Sequence, residues 1–214
     1  MRASLADQSL AIALGANLPS PAGGPIDTLV AVRPQLEALL SPWRAGLGAA
    51  EVGCGEPSGP GGDASALRCH WSPLFATAPV GGPADQPTYF NAVVVVEAPA
   101  LTAPSVAAAR ELLQALHQLE QHYGRQRRER WGPRSLDLDL LWWGELASPS
   151  ASLELPHPRW HERGFVLAPL LAIERRLGEA LWCPHSVGLA AAAAEATAAD
   201  ALPQPLLPRH GWPD

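Results

Sequence analysis

The chain of 214 residues carries 15 Lys+Arg against 21 Asp+Glu, and this formal charge of −6 argues against a basic nucleic-acid coat. With 47% hydrophobic and 17% charged residues it is too apolar to be disordered throughout, and its length suits one domain with loose insertions. All 15 basic residues are Arg, which excludes a P-loop lysine, a Schiff-base lysine and every Lys-dependent kinase scheme; a bound phosphate must be held by Arg, His, backbone amides or metal.

Leu10–Leu14 reads as a short buried strand ending at Gly15-Ala16-Asn17; it is too short, and too poorly flanked by basic residues, for a signal-peptide core. A Pro/Gly loop precedes Asp27, the expected N-cap of a helix that turns Leu29, Val32, Leu36, Leu39 and Leu40 inward and that Pro34 should kink. Residues 44–66, rich in Gly, Ala and Pro, read as an exposed insertion. A second strand is expected within Leu67–Phe75, with Pro73 at an edge or bulge, and a loop with three prolines from Ala78 leads into the strand Tyr89–Glu97. Thr102 and Pro104 are expected to start a helix carrying Leu112, Leu113, Leu116, Leu119 and Tyr123 on one face, stopped by Gly124.

After an arginine-rich stretch, Arg125–Arg134, a strand runs from Leu136 to Trp143. The order β-α-β-β-α-β predicts an α+β protein with a ferredoxin-like, mostly antiparallel sheet and helices packed on it in three αβα layers. Beyond residue 174 come an alanine-rich helix candidate, Leu189–Ala201, and a proline-rich tail whose last dozen residues are expected to be poorly ordered. One domain is expected at 1–175, with an extension at 176–214. Cys54, Cys69 and Cys183 are odd in number and widely spaced, which reads as free thiols in a reducing compartment. No apolar run reaches the ~18 residues of a membrane span, so the expected location is the cytoplasm.

Asp137 and Asp139 alternate with Leu136, Leu138 and Leu140, so a strand puts both carboxylates on one face, their Cα atoms ~7 Å apart. Like charges at that distance repel unless a cation lies between them, and hard oxygen ligands suit Mg²⁺. An isolated pair of this kind is as often a solvated strand face. The adjoining Arg125, Arg127, Arg128, Arg130 and Arg134 favour a metal–polyphosphate site, although a solvated loop remains the bland alternative. His157 and Arg163 add candidate phosphate donors, each equally readable as a surface residue; His157 with His161 lacks a third zinc ligand.

Five pieces resemble the 6-hydroxymethyl-7,8-dihydropterin pyrophosphokinases of folate biosynthesis. They are Ala13-Leu-Gly-Ala-Asn17, Asp85-Gln-Pro-Thr-Tyr-Phe-Asn-Ala-Val93, Gly124-Arg125, Arg130-Trp-Gly-Pro-Arg-Ser-Leu-Asp-Leu-Asp139, and Leu155-Pro-His-Pro-Arg159 with Arg163-Gly-Phe165. They occur in the family's order over residues 10–173. The resemblance implies a monomeric enzyme that moves diphosphate from ATP, its co-substrate, to the pterin's hydroxymethyl oxygen, with no nucleic-acid or membrane partner. It implies two Mg²⁺ ions on Asp137 and Asp139, and Arg134 as a catalytic residue. Nucleotide contacts fall to Glu120, Arg125, Arg130, Arg134, His157 and Arg163, with His117 beside Glu120. The pterin would lie between Tyr89 and Phe165, bonded by Asn91, near Thr77, Pro79 and Val80. Trp131 and a flap at residues 79–87 would close over both substrates. Ala16 and His117 depart from common family residues, which motivates an alternative: a divergent, low-activity paralogue that binds pterin or nucleotide.

Overall fold

A computed structural model describes residues 9–41, 68–83, 85–97, 104–126, 131–178, 181, 183–184, 188–197 and 203–213, with side chains in the last helix described to residue 194. The expected insertion at 44–66, Cys54, Thr102, and Arg127, Arg128 and Arg130 lie outside the described residues.

Strand β1 (Leu10–Ala16) is the sheet's inner ribbon, flanked by β4 (Tyr89–Glu97) and β5 (Asp137–Trp143), both antiparallel to it. Beyond β4 lie β2 (Arg68–Trp71) and β3 (Phe75–Thr77), which pair with successive parts of that one strand. The single strand expected around Pro73 is therefore two. Pro73 has no N–H to offer a ladder, and Ser72 repairs the break: its N–H donates to Val93 O at 2.9 Å and its hydroxyl accepts Val93 N–H at 3.0 Å.

Side chains alternate across the sheet, and both faces are covered. Leu10, Ile12, Leu14, Ala92, Val94, Val96, Leu138 and Leu140 meet helices α1 (Pro25–Leu40) and α2 (Val106–His122). Ala11, Ala13, Val93 and Val95 face α3 (Gly164–Leu177) and α4 (Leu189–Thr197). The pairing slips by one residue beside Ala11 and Ile12, so Leu141 and Trp142 both enter this second core, where Trp142 packs on Trp160 with centroids 5.2 Å apart.

Helix α1 begins at Pro25 with Gly24 as its cap, not at Asp27. Asp27 is the third helical residue, and its carboxylate accepts the Gly24 N–H at 2.9 Å, satisfying a donor the helix cannot. The helix continues through Pro34. Helix α2 is capped by Ser105, whose hydroxyl accepts Ala108 N–H at 3.1 Å. Two further elements had no counterpart in the sequence reading, the hairpin β6 (Ser148–Ser150) and β7 (Leu153–Leu155), and α3 itself. The tail expected to be poorly ordered is packed instead: in segment 203–213, Trp212 is buried against Trp71 and its Nε1 donates to Ser72 O at 2.8 Å. Among the described residues no helix is long and apolar enough to cross a membrane.

Candidate active site

One row of residues runs across the sheet. Gly15 on β1 pairs with Asp137 on one side and Asn91 on the other, and Asn91 in turn pairs with Phe75. Neighbouring strands are ~4.8 Å apart, so the Cα atoms of Asp137 and Asn91 are about 10 Å apart with a glycine between them. A Cβ added at Gly15 would fall 2.9 Å from Asn91 Oδ1, so the missing side chain is what lets the carboxamide lie over β1. Asn91 Nδ2 donates to Thr77 Oγ1 at 2.7 Å, which fixes the amide's orientation.

Two strand positions along, Asp139 lies beside Ala13 and on the same face as Asp137. Asp137 accepts from Arg125 on one oxygen and from Arg134 on the other. Arg125 also donates to Glu120, and Glu120, at 1% exposed, accepts the Leu138 N–H at 2.9 Å. Among the described strands β5 has a partner on one side only, so this carboxylate covers an edge N–H and holds Arg125 toward the acids. Asp139 is less well compensated. Arg163 Nη1 lies 3.7 Å away, and the carboxyl is pushed up to about 7 by burial and by the charge of Asp137.

Asp137 is paired with two guanidinium groups, whereas Asp139 has one at 3.7 Å, so Asp139 is the member of the acidic pair with charge left to attract a cation. Among the described residues no group of three or more His, Cys, Asp or Glu side chains gathers as a metal cage; Asp137 and Asp139 are two hard-oxygen groups on one face. That donor set fits Mg²⁺, which keeps several waters and binds through one or two carboxylates plus phosphates.

The cationic wall continues at the start of α3. Arg163 caps that helix, and its guanidinium carbon lies 5.5 Å from the centre of the Phe165 ring. His157 is half-buried, and burial together with Arg163 lowers its pKa to about 4, so the imidazole is neutral at pH 7. Its Nδ1 accepts the Arg159 N–H at 3.2 Å, which assigns the ring proton to Nε2 as a neutral donor.

Over the opposite end lies a latch between two loops. Gln86 Nε2 donates to Gly81 O and Trp131 O, both at 3.1 Å, and its Oε1 accepts the Tyr89 hydroxyl at 3.2 Å. That hydroxyl also reaches Gly132 O at 3.1 Å, and burial raises the Tyr89 pKa, so it stays a donor. At Gly82, φ is +79° and a Cβ would meet Trp131 O at 2.3 Å, so only glycine allows this approach. Trp131 and Val80 remain exposed, at 46% and 69%, and Pro79 is half-buried. Beneath the latch, Asn17 is 2% exposed and fully engaged: Oδ1 accepts Arg134 N–H at 2.7 Å and Nδ2 donates to Pro87 O at 3.1 Å.

The model of the 7,8-dihydro-6-hydroxymethylpterin-pyrophosphokinase family matches residues 62–175, just over half the chain. The chain belongs to this family. It is 46% identical over 88 residues to a 2-amino-4-hydroxy-6-hydroxymethyldihydropteridine pyrophosphokinase of Synechocystis, an alignment covering 41% of this chain and 42% of that protein. The enzyme of the same name from Pseudomonas aeruginosa is 41% identical over 116 residues, covering 53% of this chain and 67% of the relative. A mitochondrial folate synthesis bifunctional protein of Arabidopsis thaliana is 42% identical over 98 residues, 46% of this chain and 16% of that longer protein. The chain thus spans about two fifths to two thirds of the length of the bacterial relatives it matches.

For a member of this family, the fold brings together Arg125, Arg134, Asp137, Asp139 and Arg163 on one side, and Thr77, Tyr89 and Asn91 on the other, with Trp131 over them. Glu120 sits behind the face rather than on it, bonded to a strand edge. Three residues gained no role from sequence reasoning: Gly15, Asn17 and Gln86. A polar side chain at the end of an otherwise apolar strand was the available signal for Asn17, because a buried amide must find partners.

Proposed function

We propose that this chain transfers the β,γ-diphosphate of ATP to the hydroxymethyl oxygen of 6-hydroxymethyl-7,8-dihydropterin, releasing AMP, as a step in folate biosynthesis. The row Asp137, Gly15, Asn91 carries this reading: it sets an acidic pair and an oriented amide on one face, a distance apart that suits a triphosphate end and a flat heterocycle. Family membership and the names of the relatives support it.

On this reading Asn91, held by Thr77, offers a donor and an acceptor to the pterin's amide edge, while Tyr89 and Phe165 flank its ring. Asp137 and Asp139 would hold Mg²⁺, two ions on the family pattern. Such ions, when bound, offset phosphate charge and lower the pKa of the attacking hydroxyl. Arg125 and Arg134, the present counter-ions of Asp137, then turn to phosphate oxygens, joined by Arg163, by Nε2–H of His157 and by Arg130. In the reaction the hydroxymethyl oxygen bonds to the β-phosphorus as the bond from that phosphorus to the bridging α-oxygen breaks. AMP departs with the bridging oxygen and the hydroxyl proton passes to solvent. The flap joined through Gln86 to Trp131 excludes water that would otherwise compete as nucleophile.

We further read the sheet order, with β2 and β3 acting as one broken strand, as a ferredoxin-like arrangement of three layers. We read the protein as a cytoplasmic monomer acting on small molecules; acidic net charge and the free thiols Cys69 and Cys183 support that. The low-activity paralogue is the weaker reading, because both acids and Arg134 are in place. Incubation with ATP, Mg²⁺ and the hydroxymethyl pterin, followed by chromatography of the nucleotides, is the test. AMP formed only when pterin is present is expected; ADP would mean single phosphoryl transfer, and intact ATP with normal nucleotide binding would favour the paralogue.

A further inference from the structure

Strand β3 carries Thr77, the partner that orients Asn91, yet it has only three residues and lies at the sheet's edge. So short an edge strand holds its place weakly by itself. Its outer side is covered by segment 203–213, outside the family match. Phe75 makes an antiparallel bridge to Pro205, and Leu206 N–H donates to Leu74 O at 2.7 Å. The row across the sheet therefore extends by one more member: Asp137, Gly15, Asn91, Phe75, Pro205.

A second fastening lies at the break between β2 and β3. Trp212 is 7% exposed, meets Trp71 edge-on with centroids 5.3 Å apart, and donates from Nε1 to Ser72 O at 2.8 Å. Ser72 is the residue whose hydroxyl and N–H bridge the break to Val93. One residue earlier, a Cβ added at Gly211 would fall 2.8 Å from Val30 Cγ1, so the segment also rests on α1. Pro203, Pro205, Pro208 and Pro213 fix φ at four of its positions and so stiffen it.

We propose that segment 203–213 is a strap that positions the pterin-binding edge of the site, acting through β3 on Thr77 and thus on Asn91. The strap runs along the edge of the sheet opposite β5 and its acidic pair. Its loss therefore acts on pterin affinity and spares the nucleotide. This rests on the functional reading above.

The test uses the full chain with Leu206→Pro, which removes the N–H given to Leu74, and with Trp212→Ala and Trp212→Phe. Affinity for the hydroxymethyl pterin is measured by calorimetry in the presence of Mg²⁺ and a non-hydrolysable ATP analogue, and affinity for the analogue is measured separately, both below each variant's melting temperature. Leu206→Pro and Trp212→Ala are expected to weaken pterin binding about 5- to 50-fold while nucleotide affinity stays within twofold, and Trp212→Phe, which keeps the ring contact, recovers most of the loss. Pterin affinity unchanged in the folded variants, or equal losses for both ligands, overturns the strap. A wild-type chain that binds no pterin overturns the functional reading itself.

Discussion

Gly15→Ala isolates the geometry on which the proposed pterin recognition would depend. The new methyl carbon would stand 2.9 Å from Asn91 Oδ1, about half an ångström inside a normal contact, so the carboxamide must move. Gly15 has no positive φ, so the backbone accepts alanine. The group displaced is a side-chain end held by one neutral hydrogen bond to Thr77, so the fold loses about 1 kcal/mol, the worth of that bond. The loss falls on function. Once Asn91 swings away, its 2.7 Å bond to Thr77 is misaligned, and so would be the two contacts proposed for it with the pterin edge. At about 0.5–1.5 kcal/mol for each neutral hydrogen bond, losing two costs about 1–3 kcal/mol, or roughly 5- to 150-fold in pterin affinity. Calorimetric titration with the pterin, beside thermal unfolding of the same samples, reads both quantities. Pterin binding within twofold of wild type, in a folded variant, would refute the argument that this glycine makes room for the amide.

Asp139→Asn should abolish turnover yet stabilise the chain at pH 8 in a chelator. The folded carboxyl titrates near 7 against an ordinary 3.8, so the fold holds a proton that the unfolded chain has lost, and wild-type stability falls as pH rises from about 4 to 7. A dry group would account for ~4 kcal/mol. This side chain is 39% exposed, so about 1 kcal/mol is expected after screening, visible as a higher melting temperature for the variant. His157 acts in the opposite direction: its pKa is lowered to about 4, so acidification from pH 6.5 to 4 protonates the unfolded chain first and costs stability, and His157→Gln should flatten that limb of the melting profile. Gln86→Ala removes the donor to Gly81 and Trp131 and the acceptor for Tyr89; a loss of roughly tenfold in kcat/KM for the pterin is expected with melting temperature little changed, and unaltered steady-state kinetics would show that the latch does not matter.

Much of the frame was legible because its elements obey a single period. Strand β4 and helix α2 carry apolar residues at the spacing their burial demands, and Asp137 and Asp139 share a face because a strand repeats every two residues. Helix α3 was missed: seven of its residues are buried and Pro169 interrupts the run, so no amphipathic stripe marks it. The shift that sends Leu141 and Trp142 to one side depends on pairing with β1, which local spacing does not encode. Proline content made segment 203–213 look unstructured, although Trp212 is a large apolar anchor that finds its partner 141 positions back at Trp71. In the site, the acids and arginines were readable as charge, whereas the Gln86–Trp131 bond spans 45 residues and Glu120 turns inward to a strand edge, both products of tertiary contact.

On the proposed function the acidic pair and its arginines deliver a diphosphate, as one unit, to an alcohol. Phosphorus NMR of a single reaction containing the protein, Mg²⁺, ATP and the hydroxymethyl pterin tests this most directly. All three ATP resonances should give way to an AMP singlet and a coupled pair from a pterin diphosphate, and Asp137→Ala and Asp139→Ala samples should keep the ATP spectrum. Appearance of ADP with a pterin monophosphate, or undiminished turnover by either variant, would contradict it.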